Sequence, residues 1–264
     1  MKLLNRRATI LALAAQFLLV VPAAADEIVV GANIGNVPWE FADRGGEFIG
    51  FEIDLAREVA KRLGHTISVV NIPFNGLFPA VQSGRIDVAL SSMTVTDKRL
   101  ASVGFVQPYY DSAQSLTVHA RSDYSSLADM RDAVIGVDTG STGDMWTTEN
   151  RDTHGFGEIR RYEGLAPAML DLQTQRIDGY ISDIPALQYY IKDKPFFRIA
   201  ERIETGERYS MMFAKDSRWI APFNEQIGVL KREGYLAQLH ERWFGTAPAD
   251  DSATVVELPL PRTR

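Results

Sequence analysis

Apolar residues along this chain follow two rhythms. Glu27 to Ala32, Thr66 to Val70, Val88 to Leu90, Val134 to Val137 and Ile159 to Tyr162 are short apolar runs bounded by Gly, Pro or hydroxyl residues, which predicts strands. Between Phe51 and Leu63 the apolar residues Ile53, Leu55, Ala56, Val59, Ala60 and Leu63 form the stripe of a helix with one buried face, and Gly64 stops it. Asp144 to Asn150, Ile184 to Ile191 and Trp219 to Phe244, the last broken at Gly234, predict further helices. Ser115 to His119, Phe196 to Ala200 and Tyr209 to Ala214 predict extended segments. Strands alternating with helices in this way make an α/β architecture with mostly parallel sheets.

The run Val88-Ala89-Leu90 stands out because polar residues end it abruptly. Ser91, Ser92 and Thr94 follow, then a helix start at Thr96-Asp97 and the guanidinium of Arg99. In an open α/β sheet the carboxyl ends of strands are where ligands bind, and hydroxyls plus one guanidinium suit a small carboxylate. Hydroxyl residues after a strand also serve plain turns and caps. A second copy of the pattern begins 91 residues later: Arg85-Ile86-Asp87 is matched by Arg176-Ile177-Asp178, which leads through Gly179-Tyr180-Ile181 to Ser182-Asp183. Each copy follows a Gly-Leu-x-Pro-Ala segment, at 76–80 and 164–168. The chain thus contains two related helix-strand units, one ending in hydroxyls with an arginine and the other in an aspartate.

The first 25 residues differ from the rest. Lys2, Arg6 and Arg7 precede an apolar stretch from Ala8 to Val21 and the small residues Ala23-Ala24-Ala25, the pattern of a secretory signal peptide cleaved after Ala25. Its removal takes three cations and no acids from a chain of formal charge −6, leaving −9, which argues against nucleic acid or an anionic membrane surface as partner. Cysteine is absent, so disulfides, thiol catalysis, cysteine-ligated metals and a lipid anchor on an N-terminal cysteine are excluded, and the expectation is a free periplasmic protein, monomeric and without cofactor. Residues 246–264, with Pro248, Pro259 and Pro261 and few large apolar groups, predict a disordered tail.

From Ile28 to Gly245 the chain resembles the family 3 periplasmic solute-binding proteins of amino-acid ABC transporters. The resemblance rests on Gly50 to Ala56 (GFEIDLA), Phe74 to Ala80 (FNGLFPA), Ser91 to Arg99, and Lys231 to Gly245 with its Trp-Phe-Gly ending. It implies a two-lobed, type II periplasmic binding protein fold: lobe 1 from 26–114 and 214–245, lobe 2 from 120–208, and a two-strand hinge at Ser115–His119 and Tyr209–Phe213. It implies that Arg99 holds a ligand α-carboxylate, helped by Ser92 or Thr94 and by Thr142, that Asp183 and Ser91 take the α-ammonium, and that Phe74 lies against the ligand side chain. Three of these residues have plainer readings. Ser141 and Asp144 are spaced as a capping box around Thr142, Asp183 has the place of an N-cap, and Phe74 suits a core. Asn36 stands where the family usually offers an aromatic, with Trp39 three residues on, and Asn33 stands where some cation-selective relatives place an acid, which argues against a lysine-like or arginine-like ligand.

The resemblance implies a non-catalytic receptor that closes on an amino acid or amino-acid-like zwitterion and delivers it to the permease of an ABC importer. Two other classes compete: a periplasmic dehydratase-type enzyme on the same fold, and a ligand-sensing partner of a membrane receptor or redox enzyme. The enzyme needs a general acid beside the carboxylate site, whereas the four histidines, His65, His119, His154 and His240, are dispersed, and no nucleophile elbow, phosphate loop or metal spacing is present.

Overall fold

The computed structural model describes residues 27–263; the expected signal peptide lies outside them. The chain begins with β1 (Glu27–Ala32), a small hairpin of β2 (Phe41–Ala42) and β3 (Phe48–Ile49), α1 (Phe51–Arg62), β4 (Thr66–Asn71), α2 (Phe74–Gln82), β5 (Val88–Leu90), α3 (Asp97–Leu100) and β6 (Val103–Phe105). It continues through β7 (Tyr110–His119), β8 (Val134–Asp138), α4 (Thr142–Glu149), α5 (Arg151–His154), β9 (Glu158–Tyr162), α6 (Leu165–Gln173), β10 (Gly179–Asp183), α7 (Ile184–Ile191) and β11 (Phe197–Tyr209). β12 (Met212–Ala214), α8 (Ile220–Arg232) and α9 (Tyr235–Phe244) then return to the first lobe.

Two five-stranded sheets result. Lobe 1 has the order β4-β1-β5-β12-β6 and lobe 2 the order β11-β7-β10-β8-β9. In lobe 1, β4, β1 and β5 run parallel, with β12 antiparallel to both β5 and β6. In lobe 2, β10, β8 and β9 run parallel, with β7 antiparallel to both β10 and β11. The apolar stripe of α1 packs Ile53, Leu55, Ala56 and Val59 into the lobe 1 core beside Phe213, Phe223 and Ile227. Gly50 precedes that helix at φ +139°, where a Cβ would stand 2.1 Å from the Trp39 carbonyl oxygen, so the entry to α1 accepts only glycine.

The sequence repeat is a structural one. In lobe 1, Asp87 accepts a bond from Val29 N on Oδ2 (2.9 Å) and its own N–H donates to Val29 O; in lobe 2, Asp178 does the same with Val134 (2.8 Å to Oδ2). Ile86 and Ile177 are buried beside them. Each Arg-Ile-Asp unit therefore fastens its own strand to the first strand of its lobe's parallel set, which aims both strand ends, at Ser91 and at Asp183, toward the space between the lobes.

Two expectations are corrected. Ser115–His119 is no linker: it is the second half of β7, paired with β10 on one side and β11 on the other. The chain crosses between sheets instead at 106–109 and at 210–211, where Tyr109 N donates to Tyr209 O (3.0 Å) and Val106 N to Met211 O (3.4 Å). The alternation at Ser115–His119 is that of a real strand, but strand pattern carries no information about which sheet receives it. The tail from 246 is also packed rather than disordered. Ala253 N donates to Asp111 Oδ2 (2.6 Å), Thr254 Oγ1 to Tyr109 O (3.0 Å) and Leu258 N to Gln107 Oε1 (3.1 Å), with Ala253 and Thr254 buried. The buried ammonium of Lys231 helps to hold it, donating to Gln107 Oε1, Pro108 O and Val256 O. Polar pins of this kind compensate for the scarcity of apolar anchors that composition registers.

Candidate functional site

Between the lobes lies a cleft lined from lobe 1 by Asn33, Asn36, Phe74, Ser91, Ser92, Thr94 and Arg99, and from lobe 2 by Asp138, Thr142 and Asp183 among others. The lobes touch across it: Ser92 Oγ donates to Asp183 Oδ2 at 3.3 Å, Thr94 Oγ1 meets Thr142 Oγ1 at 3.5 Å, and Arg99 Nη2 reaches Gly140 O at 3.4 Å. The enclosed space is ≈ 40 Å³. At roughly 10–15 Å³ for each water it holds about three waters, so a side chain of any length enters only if the lobes part.

Arg99 sits in the first turn of α3, which Thr96 caps by accepting from Arg99 N (3.2 Å). Its side chain is buried, with the guanidinium carbon 5.6 Å from the Phe74 ring centre and 5.3 Å from that of Phe78. Nη1 donates to Thr94 O (2.8 Å), and among the described residues no carboxylate lies within ion-pair distance. Burial pulls its pKa down to about 10, against the pull of Glu207 and Asp183. A buried cation held by neutral carbonyls is prepared for an incoming anion, because a carboxylate would supply the charge partner that the protein withholds. Phe74 is thus partly core and partly a platform for the arginine.

Asp183 ends β10 just before α7, yet it makes no side-chain cap to that helix. Its carboxylate accepts instead from Gln114 Nε2 (2.5 Å) and from Ser92. Burial, and next the negative charge of Glu207, push its pKa up to about 7. Across β10 and β8, Thr142 opens α4, whose cap is the Ser141 hydroxyl accepting from Asp144 N (3.0 Å). Thr142 is therefore free of capping duty; it receives Gln114 Nε2 (3.3 Å) and lies against Thr94.

Carboxylates behind the cleft orient its hydroxyls. Ser91 Oγ donates to Glu40 Oε1 (2.8 Å) and accepts from Asn33 N (3.1 Å); Thr94 Oγ1 donates to Glu207 Oε2 (2.9 Å). Thr94, expected beside a ligand carboxylate, thus spends its proton inward and turns lone pairs to the cleft. Asn36 donates through Nδ2 to both Glu40 Oε1 (3.0 Å) and Ser92 Oγ (3.1 Å), so it braces the serine loop rather than supplying a stacking wall. Trp39 is corrected: it is fully buried, packed edge-on against Phe51, Tyr110 and Tyr209, and lines no part of the cleft.

Sequence reading missed Glu40, Glu52, Gln114, Asp138 and Glu207. Glu52 Oε2 accepts from Ser92 N (2.9 Å), fixing a residue at φ +44°, and Oε1 accepts from the Tyr109 hydroxyl. Burial raises the pKa of Glu40 well above the ordinary 4.5, and the charge of Glu52 adds to the rise. Glu52 was detectable, since with Leu55, Ala56 and Val59 it falls on the buried stripe of α1. Glu207 was not. It is aimed inward by an irregularity in the β11–β7 pairing, where Ile203 faces Gln114 but Glu207 faces Ser112, two extra residues on one strand.

Two α/β lobes joined by two short crossings, with a guanidinium on one wall of the cleft and a carboxylate on the other, define a two-lobed ligand receptor. Residues 28–246 match the family described as bacterial extracellular solute-binding proteins, family 3, and the chain belongs to that family. It is 25% identical over 228 residues to ABC transporter arginine-binding protein 1 of Escherichia coli K12, covering 84% of this chain and 92% of that protein. An ancestral arginine-binding protein bound to arginine superposes with a TM-score of 0.79 at 30% identity, over 83% of this chain and 98% of that one. An ancestral arginine-binding protein bound to glutamine matches with a TM-score of 0.78 at 29% identity, over the same shares.

Proposed function

We propose that the protein is a periplasmic receptor that closes on an amino acid or amino-acid-like zwitterion and presents it to the permease of an ABC importer. One observation carries this reading: Arg99 on lobe 1 and Asp183 on lobe 2 line the same cleft, so an α-carboxylate and an α-ammonium are each met by the opposite charge from a different lobe. A ligand touching both lobes favours the closed form over the open one by the contacts that exist only when they meet. The crossings at 106–109 and 210–211 are the places where the chain bends. Family membership supports delivery to an importer, and the names of the relatives make L-arginine and L-glutamine the first ligands to test.

The test is a thermal-shift screen of the mature protein with the L-amino acids, followed by calorimetry on each hit and mass analysis of the recovered ligand. A bound zwitterion at 100 times its Kd adds about 2.7 kcal/mol to stability. The expected result is a hit that needs both α-groups and is recovered unchanged. A ligand recovered chemically altered would make the protein an enzyme, and binding that persists without the α-amino group would remove Asp183 from the site.

A further inference from the structure

The strap that follows α9 lies beyond residues 28–246, which match the family, and it is laid across one of the two crossings between the lobes. Its hold on lobe 1 is firm. Val256 O is an acceptor of the buried Lys231 ammonium (2.9 Å), beside Gln107 Oε1 and Pro108 O, and Glu257 Oε1 pairs with Arg232 Nη1 on the same helix, α8 (2.6 Å). Lifting Val256 away would strip a buried cation of one of its acceptors, which is costly. The strap next touches the crossing itself, where Thr254 Oγ1 donates to Tyr109 O (3.0 Å) and Leu258 N to Gln107 Oε1 (3.1 Å). On lobe 2 it is held by Asp111, whose Oδ2 accepts from the N–H of buried Ala253 (2.6 Å) while Oδ1 accepts from Arg208 Nε (3.1 Å). Asp111 and Arg208 face each other on β7 and β11, at the root of the lobe 2 sheet.

These bonds are made while the cleft is closed to ≈ 40 Å³ and Ser92 rests on Asp183. If the lobes part by turning about 106–109 and 210–211, Asp111 turns with lobe 2, whereas Val256 and Glu257 stay with α8. Ala253 N must then leave the carboxylate, or the strap must come off α8; either way a charge-assisted hydrogen bond is lost. We propose that the strap is a brace across the hinge that favours the closed form, with Asp111 as the residue that positions lobe 2 against it. This rests on hinged closure as the function requires it, and adds that part of the closing free energy comes from outside the cleft, whatever ligand binds. A receptor braced in this way keeps more of its ligand-free population in the closed form, and its affinity for a ligand that needs that form rises with the populated fraction.

The chain has no cysteine, so Gln82→Cys and Gln173→Cys, exposed residues that end α2 in lobe 1 and α6 in lobe 2, carry two spin labels whose separation reads the opening. Distances are measured on the labelled mature protein without ligand and with a mixture of the twenty L-amino acids. Without ligand, Asp111→Ala should raise the ratio of long to short distances about threefold or more. Arg208→Gln, which removes the neighbouring ion pair and spares the bond to Ala253, should change that ratio by less than about twofold. An unchanged ratio in Asp111→Ala overturns the proposal, as does a shift toward short distances, or an equal rise in Arg208→Gln. The Asp111 side chain is 41% exposed, so its replacement leaves a folded protein to measure. A wild type whose distance is single and unmoved by the amino acids removes hinged closure and the brace together; a wild type that closes on them, with Asp111→Ala matching it in their absence, removes the brace alone.

Discussion

Glu40→Gln should make the protein more stable at neutral pH, although it replaces a fully buried residue beneath the serine loop. Glu40 Oε1 accepts from Ser91 and Asn36, while Oε2 is buried without a hydrogen-bond partner and the charge of Glu52 raises the pKa further. In the unfolded chain the carboxyl proton leaves near the ordinary value of 4.5, whereas burial and Glu52 hold it in the folded state to well above that. Over the interval between the two values the folded state binds more protons than the unfolded one, so stability is full below 4.5 and declines as pH rises toward the folded value. The loss is about 1.4 kcal/mol for each pH unit of that interval. Glutamine keeps the acceptor for Ser91 and Asn36 and donates to Glu52 through its amide, without a proton to hold. Urea unfolding of both proteins from pH 4.5 to 8 should give curves that diverge in favour of the variant as pH rises. Parallel curves would refute the raised pKa of Glu40, and a variant weaker at every pH would mean that the amide cannot take the carboxyl's place.

Three further outcomes are expected. Arg99→Lys should lose about 2–5 kcal/mol of binding to the amino acid found in the screen, read by calorimetry, with little change in ligand-free Tm, because lysine cannot form the two-pronged contact and the arginine's own bonds are to carbonyls. Lys231→Met should release the strap at 253–258, seen as faster hydrogen exchange at Ala253 and Leu258. Burial pulls Lys231 down to about 7 from 10.5, so the unfolded state binds more protons between those values; stability relative to the variant should rise with pH across that window, and a flat difference would mean that burial does not lower the lysine's pKa. Small-angle scattering should show the radius of gyration falling by about 1 Å on saturation with ligand, and an unchanged profile at proven saturation would exclude hinged closure.

What the sequence alone determined is what acts over short distances along the chain. The stripe of α1, the break at Gly234, the cap at Ser141 and the duplicated Arg-Ile-Asp unit are legible because hydrogen bonding and side-chain neighbours within one turn or one strand decide them. Arg99 and Asp183 could be singled out for the same reason, as polar ends of short buried strands. The tertiary structure decided which residues meet from far apart: Glu40 with Ser91, Thr94 with Glu207, Asp111 with Ala253, and Asp138 beside Asp183. It also sent Trp39 into the core and β7 into lobe 2. No local pattern encodes those outcomes, because the free energy of placing a carboxylate, an indole or a strand depends on the burial and partners it finds only once the lobes have formed.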